Sequence, residues 1–109
     1  MDPDELRQFA LSLPEATEEP HFHYASFRVK GRIFVTMPPG EKYAHIFVDD
    51  EQRDEAINLY PRSVETLLWG KKAAGVRVLL SKTPSRFVRD LTLCAWKRKA
   101  PKSLIKAAV

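Results

Sequence analysis

Leu6, Phe9, Ala10 and Leu13 recur at helical spacing and give the opening segment one apolar stripe. Asp2 precedes the stripe as a cap, Pro3 suits the first helical position, and Glu5 stands three residues after the cap, as in a capping box. Pro14 ends the pattern; Glu15 to Pro20 has no period and reads as an acidic connector. From Phe22 the period changes to two. Phe27 and Val29 alternate with Arg28 and Lys30, and after a Gly31-Arg32 turn Ile33, Val35 and Met37 alternate with Phe34 and Thr36, the signature of a β-hairpin. Pro38-Pro39-Gly40-Glu41 turns the chain again, and a third strand is predicted over Tyr43 to Val48.

Asp49 and Asp50 offer caps for a helix through about Leu59, with Ala56, Ile57 and Tyr60 facing inward and Pro61 closing it. Val64 to Trp69 reads as a fourth strand, although Glu65-Thr66-Leu67-Leu68 fits a helix equally well. Gly70 to Gly75 turns the chain into a fifth strand, Val76 to Ser81. A long last helix is predicted from Thr83 as cap and Pro84 as first residue, burying Phe87, Val88, Leu91, Cys94 and Ala95 and stopping before Pro101. Lys102 to Val109 reads as a short basic tail. The order α-β(3)-α-β(2)-α describes one domain over 1–109. It predicts an α+β two-layer sandwich, an antiparallel sheet of about five strands with helices on one face.

Strand alternation sorts the two sheet faces. Val29, Ile33, Val35, Ile46, Val48, Val76, Val78 and Leu80 are aliphatic and belong under the helices. The opposite parity holds Arg28, Lys30, Arg32, Phe34, Thr36, Tyr43, His45, Phe47, Arg77 and Leu79. Rings interleaved with cations suit stacking on bases while neutralising phosphates. They equally suit a small outer core or a dimer interface with a basic rim. Trp96 falls beside the predicted stripe of the last helix, where it either fills the helix–sheet edge or, next to Arg89 and Lys97-Arg98-Lys99, meets a partner.

Charge sharpens this picture. The net charge of +4 hides seven basic and thirteen acidic residues over 1–70, against eleven basic residues and only Asp90 as an acid over 71–109. A basic end of this kind concentrates near polyanions, or simply solvates a helix. With 109 residues, 44% hydrophobic and 29% charged, the chain has the composition of a folded domain. No apolar run approaches the roughly 20 residues of a membrane span, so no membrane contact is expected. The acidic Met1-Asp2-Pro3-Asp4-Glu5 lacks the positive charge of a signal peptide, and a cytoplasmic location is expected.

The residues show no catalytic arrangement, and no cofactor is expected. The single Cys94 excludes an intramolecular disulfide and a cysteine-rich zinc site, and its helical position makes it a small hydrophobe. His21 and His23 share one side of an extended segment and His45 lies on a neighbouring strand, but their spacing does not force a zinc site. Glu18 and Glu19 beside those histidines read as solvated carboxylates. Ser26, Ser63, Ser81 and Ser85 lack a nucleophile-elbow context, and the four glycines form no phosphate-binding loop.

Several segments together resemble one family. They are Leu13-Pro14-Glu15-Ala16-Thr17-Glu18-Glu19, Phe27-Arg28-Val29-Lys30-Gly31-Arg32-Ile33-Phe34, Gly75-Val76-Arg77-Val78-Leu79, and Ala95-Trp96 leading to Lys99-Ala100-Pro101-Lys102. In order and spacing the chain is similar to the MmcQ/YjbR family of small bacterial proteins over most of its length. The resemblance implies an antiparallel sheet with helices on one side. It also implies DNA binding, by analogy with a "double wing" shape, and fold analogy alone does not establish function. The chain departs from the pattern near Val76 and Arg77, where many relatives carry an aromatic, and at Ala95-Trp96, where others have a small residue and Tyr.

The leading expectation is a nonenzymatic nucleic-acid-binding module. Arg28, Lys30, Arg32 and Arg77 on the outer face, with Lys71, Lys72, Lys97, Arg98 and Lys99, would track phosphates, and Phe34 and Phe47 would stack on bases. The alternative is a protein-interaction or homodimerisation domain that uses the same face.

Overall fold

The computed structural model describes residues 1–40 and 42–108; Glu41 of the predicted turn and Val109 of the predicted tail lie outside them. The capping box forms. Glu5 N–H donates to Asp2 Oδ1 at 2.9 Å, Asp2 N–H donates to Glu5 Oε1 at 3.4 Å, and helix α1 runs Pro3–Ser12. Four strands follow: β1 (Ala16–His21), β2 (Tyr24–Val29), β3 (Arg32–Met37) and β4 (Tyr43–Ile46). Asp49 caps helix α2 (Asp50–Leu59) by accepting from Gln52 N–H at 2.9 Å. Strands β5 (Val64–Trp69) and β6 (Lys72–Leu79), a 3-10 turn (Leu80–Lys82), and helices α3 (Ser85–Lys99) and α4 (Lys102–Ala108) complete the chain.

All neighbouring strands pair antiparallel in one six-stranded sheet, in the order β1-β2-β3-β4-β6-β5. The α+β class and the helix layer are as read from periodicity, but the sheet has one strand more. The additional strand is β1, the segment read as an acidic connector. Its sequence Ala-Thr-Glu-Glu-Pro-His carries no apolar alternation because β1 is an edge, exposed along most of its length. Ladder pairing to β2 holds it, helped by Glu18 against Arg7 Nε at 3.1 Å and Glu19 against Arg28 Nε at 3.8 Å. Edge acids and Pro20 also protect that edge from pairing with other chains.

Three further expectations are corrected. Thr83 does not cap α3: Pro84 holds that position, and Thr83 Oγ1 instead donates to Leu79 O at 2.8 Å and lies 2.9 Å from Ser63 Oγ. The predicted tail forms helix α4 through Ala108, with Leu104 and Ile105 packed against the core. The buried stripe of α3 is Val88, Leu91, Thr92, Ala95 and Trp96, so the helix is rotated toward Trp96, and Phe87 and Cys94 are only half-buried. Trp96 therefore fills the helix–sheet edge, and its indole N–H donates to Pro14 O at 3.0 Å.

A bulge corrects the face assignment in β3. Phe27 pairs with Val35 and Arg28 with Ile33, leaving Phe34 as one extra residue between them. Phe34 and Val35 consequently both enter the core, where both are fully buried. Beyond the bulge the parity is inverted: Ile33 shares the side of Arg28, and Arg32 shares that of Val29. Arg32 accordingly meets the helix layer, donating from Nη1 to Lys99 O at 3.3 Å. Phe34 is no stacking surface. Elsewhere the alternation holds, with Val35, Ile46, Val76 and Val78 under the helices and Thr36, His45 and Arg77 aligned on the other face.

That other face is not flat. Strands rotate by roughly 20–25° each, and across six strands the twist brings diagonally opposite corners of a sheet together. Here His21, ending one edge strand, and Trp69, ending the other, have ring centroids 6.1 Å apart. Ser26, Thr36 and His45 are buried in the resulting concavity although no helix covers them.

Candidate functional site

Two features could meet a ligand, one at an end of the sheet and one in its concavity. The end is defined by register. The β2–β3 tip (Lys30-Gly31), the residues following Ile46, and the β5–β6 tip (Gly70-Lys71) all lie at the same end of the antiparallel ladder. The β2–β3 turn has positive φ at both central residues, 51° at Lys30 and 79° at Gly31, so the lysine is held at the apex of a type I′ turn. Helix α3 ends here as well, since Arg98 Nη1 donates to Phe47 O at 3.0 Å and Lys99 O accepts from Arg32. The negative end of the α3 dipole is thereby surrounded by Lys97, Arg98 and Lys99.

The site cations thus fall into two groups. Lys30, Arg32, Lys71, Lys72, Lys97, Arg98 and Lys99 share the sheet end. Among the described residues only Lys30 of these has an acidic partner, Glu15 at 3.9 Å. Burial, then the charges of Arg98 and Arg32, hold the Lys99 ammonium below its usual value. Arg28 and Arg77 lie apart from this end. Arg28 is beside Glu19, while Arg77 bonds Glu65 Oε1 at 2.7 Å and sits 3.6 Å over the Tyr43 ring.

The concavity holds a cleft of about 380 Å³. Its floor includes Tyr24, Leu67 and His45, whose Nδ1 lies 3.3 Å from Thr36 Oγ1. Its rim is apolar and open to solvent: Phe22 is 91% exposed, Leu68 62% and Trp69 46%. Rings run in series from Phe22 to His21 (4.9 Å), His21 to Trp69 (6.1 Å) and Trp69 to Phe47 (5.4 Å). Phe22 occupies the left-handed region at φ 58°, a strained setting for an aromatic residue, at the first position of the two-residue β1–β2 turn.

Phe47 thus remains a candidate ring, at the junction of cleft and basic end. Phe22, Tyr24 and Trp69 were not singled out by sequence reasoning; the available signal was an aromatic residue at a turn or strand end, where apolar burial is not expected. His21 and His45 line the cleft, but His23 lines a different groove, shared with Pro3 and Arg7 of α1 and with the Pro38-Pro39-Gly40 turn. Among the described residues no three His, Cys, Asp or Glu side chains are gathered for a metal, and no helix is long and apolar enough to cross a membrane.

Cys94 is half-buried, and burial pushes its thiol up, with Lys97 opposing. Iodoacetamide at neutral pH is expected to alkylate it more slowly than a free cysteine peptide, with denaturant restoring the peptide rate. Equal rates in the folded protein would contradict the burial.

A family model described as YjbR matches residues 11–98. Among solved structures, the crystal structure of Deinococcus radiodurans protein DR2400, which carries a DUF419 family-model domain, is similar with a TM-score of 0.78 and 23% identity, covering 98% of this chain and 87% of that one. A search of curated proteins gave no match.

Proposed function

The chain belongs to the YjbR family, and on that premise and its surface charge we propose that it is a nonenzymatic nucleic-acid-binding module that grips phosphates at the sheet end. The carrying observation is that two hairpin tips and the end of α3 bring seven cations together, six of them without an acidic partner among the described residues. Like charges gathered at one end of a molecule repel one another, and a polyanion relieves that repulsion; at Lys99 the charges of Arg98 and Arg32 add to the larger effect of burial in lowering the ammonium. Arg28 and Arg77, already engaged with Glu19 and Glu65, have no primary part in this reading.

Oligonucleotide binding should therefore be tight at low salt and fall steeply as salt rises. On duplex DNA, log K falls by roughly 0.9 per phosphate contact for each tenfold rise in salt. The double charge reversal Lys71→Glu/Lys72→Glu should flatten that slope by about 2, whereas Arg28→Glu should leave it unchanged. Absence of binding at low salt, or an affinity insensitive to salt, would rule the reading out.

A second reading, a protein-interaction or homodimerisation domain, is favoured by the exposed apolar rim of Phe22, Leu68 and Trp69. Light scattering separates the two: a dimer in the absence of any oligonucleotide signal supports the second.

A further inference from the structure

We propose that the cleft receives one unpaired base of a single-stranded nucleic acid, stacked on Trp69, while Lys71 and Lys72 hold the neighbouring phosphates. This inference rests on the nucleic-acid reading and adds the form of nucleic acid that is bound. Chain continuity is the first argument. Trp69 is on the cleft rim, and the next residues, Gly70, Lys71 and Lys72, form the tip that carries two exposed cations of the basic end. A strand lying across that tip has its phosphates at the lysines and a base within reach of the indole.

Size and chemistry are the second argument. About 380 Å³ lies near the lower end of ligand pockets, roughly 300–1,000 Å³, and suits one planar ring system. A duplex keeps its bases stacked inside, so only an unpaired base can enter. The series Phe22–His21–Trp69–Phe47 supplies ring faces, and Tyr24 adds a residue with a polar group to the cleft lining. Among the described residues no Lys or Arg lines the cleft itself, which separates the stacking surface from the phosphate surface.

The test uses the full chain at low salt with a short oligothymidylate and, separately, a duplex of equal length. Trp69 is half-exposed and Trp96 fully buried, so a change in tryptophan emission reports the cleft. The single strand should quench emission and bind at least roughly tenfold more tightly than the duplex. Trp69→Ala should weaken single-strand binding by roughly 5- to 150-fold, the range for loss of one stacked base, and leave duplex binding unchanged. Phe22→Ala, at a position 91% exposed, serves as a second rim variant and should weaken only the single strand. If the duplex binds with the expected salt slope but the single strand shows neither quenching nor preference, this inference fails and the proposed function stands. If Trp69→Ala weakens both equally, or instead dissociates a dimer, the cleft holds no base. If neither oligonucleotide binds, both readings fail together.

Discussion

Replacing Trp96 with Ala is expected to cost about 4 kcal/mol of stability, within the usual range of 3–5 for truncating a buried large aromatic. Trp96 is the largest fully buried side chain, and its indole N–H holds Pro14 O, so it pins the α1–β1 junction to α3. Domains of this size are stable by only about 5–15 kcal/mol, so this one substitution removes between about a quarter and most of the total. Trp96→Phe divides the loss. It keeps most of the apolar volume but leaves the Pro14 carbonyl without its donor, and should cost about 1–3 kcal/mol. Urea denaturation followed by circular dichroism measures both. A cost below about 2 kcal/mol for Trp96→Ala would show that the cavity collapses and that the indole is not the pin described.

Gly75→Ala should be nearly as damaging, by a different route. Gly75 lies on β6 at φ 153°, a backbone region that side chains avoid. A Cβ there would fall on the Ile46 carbonyl oxygen and 2.9 Å from Phe47 Cα, both backbone atoms of the adjoining chain that cannot step aside. Overpacking and backbone strain each cost about 1–3 kcal/mol, and here they act together, so about 3 kcal/mol or more is expected. At 4–8 °C per kcal/mol, the melting temperature should fall by about 12 °C or more. Gly40→Ala is the control: its φ of 66° is also unfavourable, but no heavy atom surrounds the position. Equal losses at the two glycines would assign the whole effect to φ and none to close approach.

The parts of this fold visible in the sequence are those that repeat a pattern. The capping box of α1, the Asp49 cap of α2 and the aliphatic parity of β4 and β6 follow from local rules, and each is present. Strand β1 was invisible because an edge strand held by a neighbour's backbone needs no apolar alternation, and Glu18 and Glu19 look like loop residues. Phe34 defies parity counting, which assumes an unbroken ladder, because one inserted residue inverts the faces on one side of it. At the site, the basic composition of the C-terminal part was legible. That its lysines meet Arg32 was not, since this depends on the bulge and on where α3 ends. The cleft was least legible, because His21 and Trp69 are joined by sheet twist and by no spacing in the sequence.

The meeting of His21 with Trp69 also orders events in time. The two residues belong to strands with four others between them, so their contact waits until every hairpin has been zipped into place. Such long-range closures come late in folding and open first. The edge-strand ends that carry His21 and Trp69 should therefore exchange their amide hydrogens sooner than the β2–β3 ladder, and a weakened variant should lose its recess while its circular dichroism is still native.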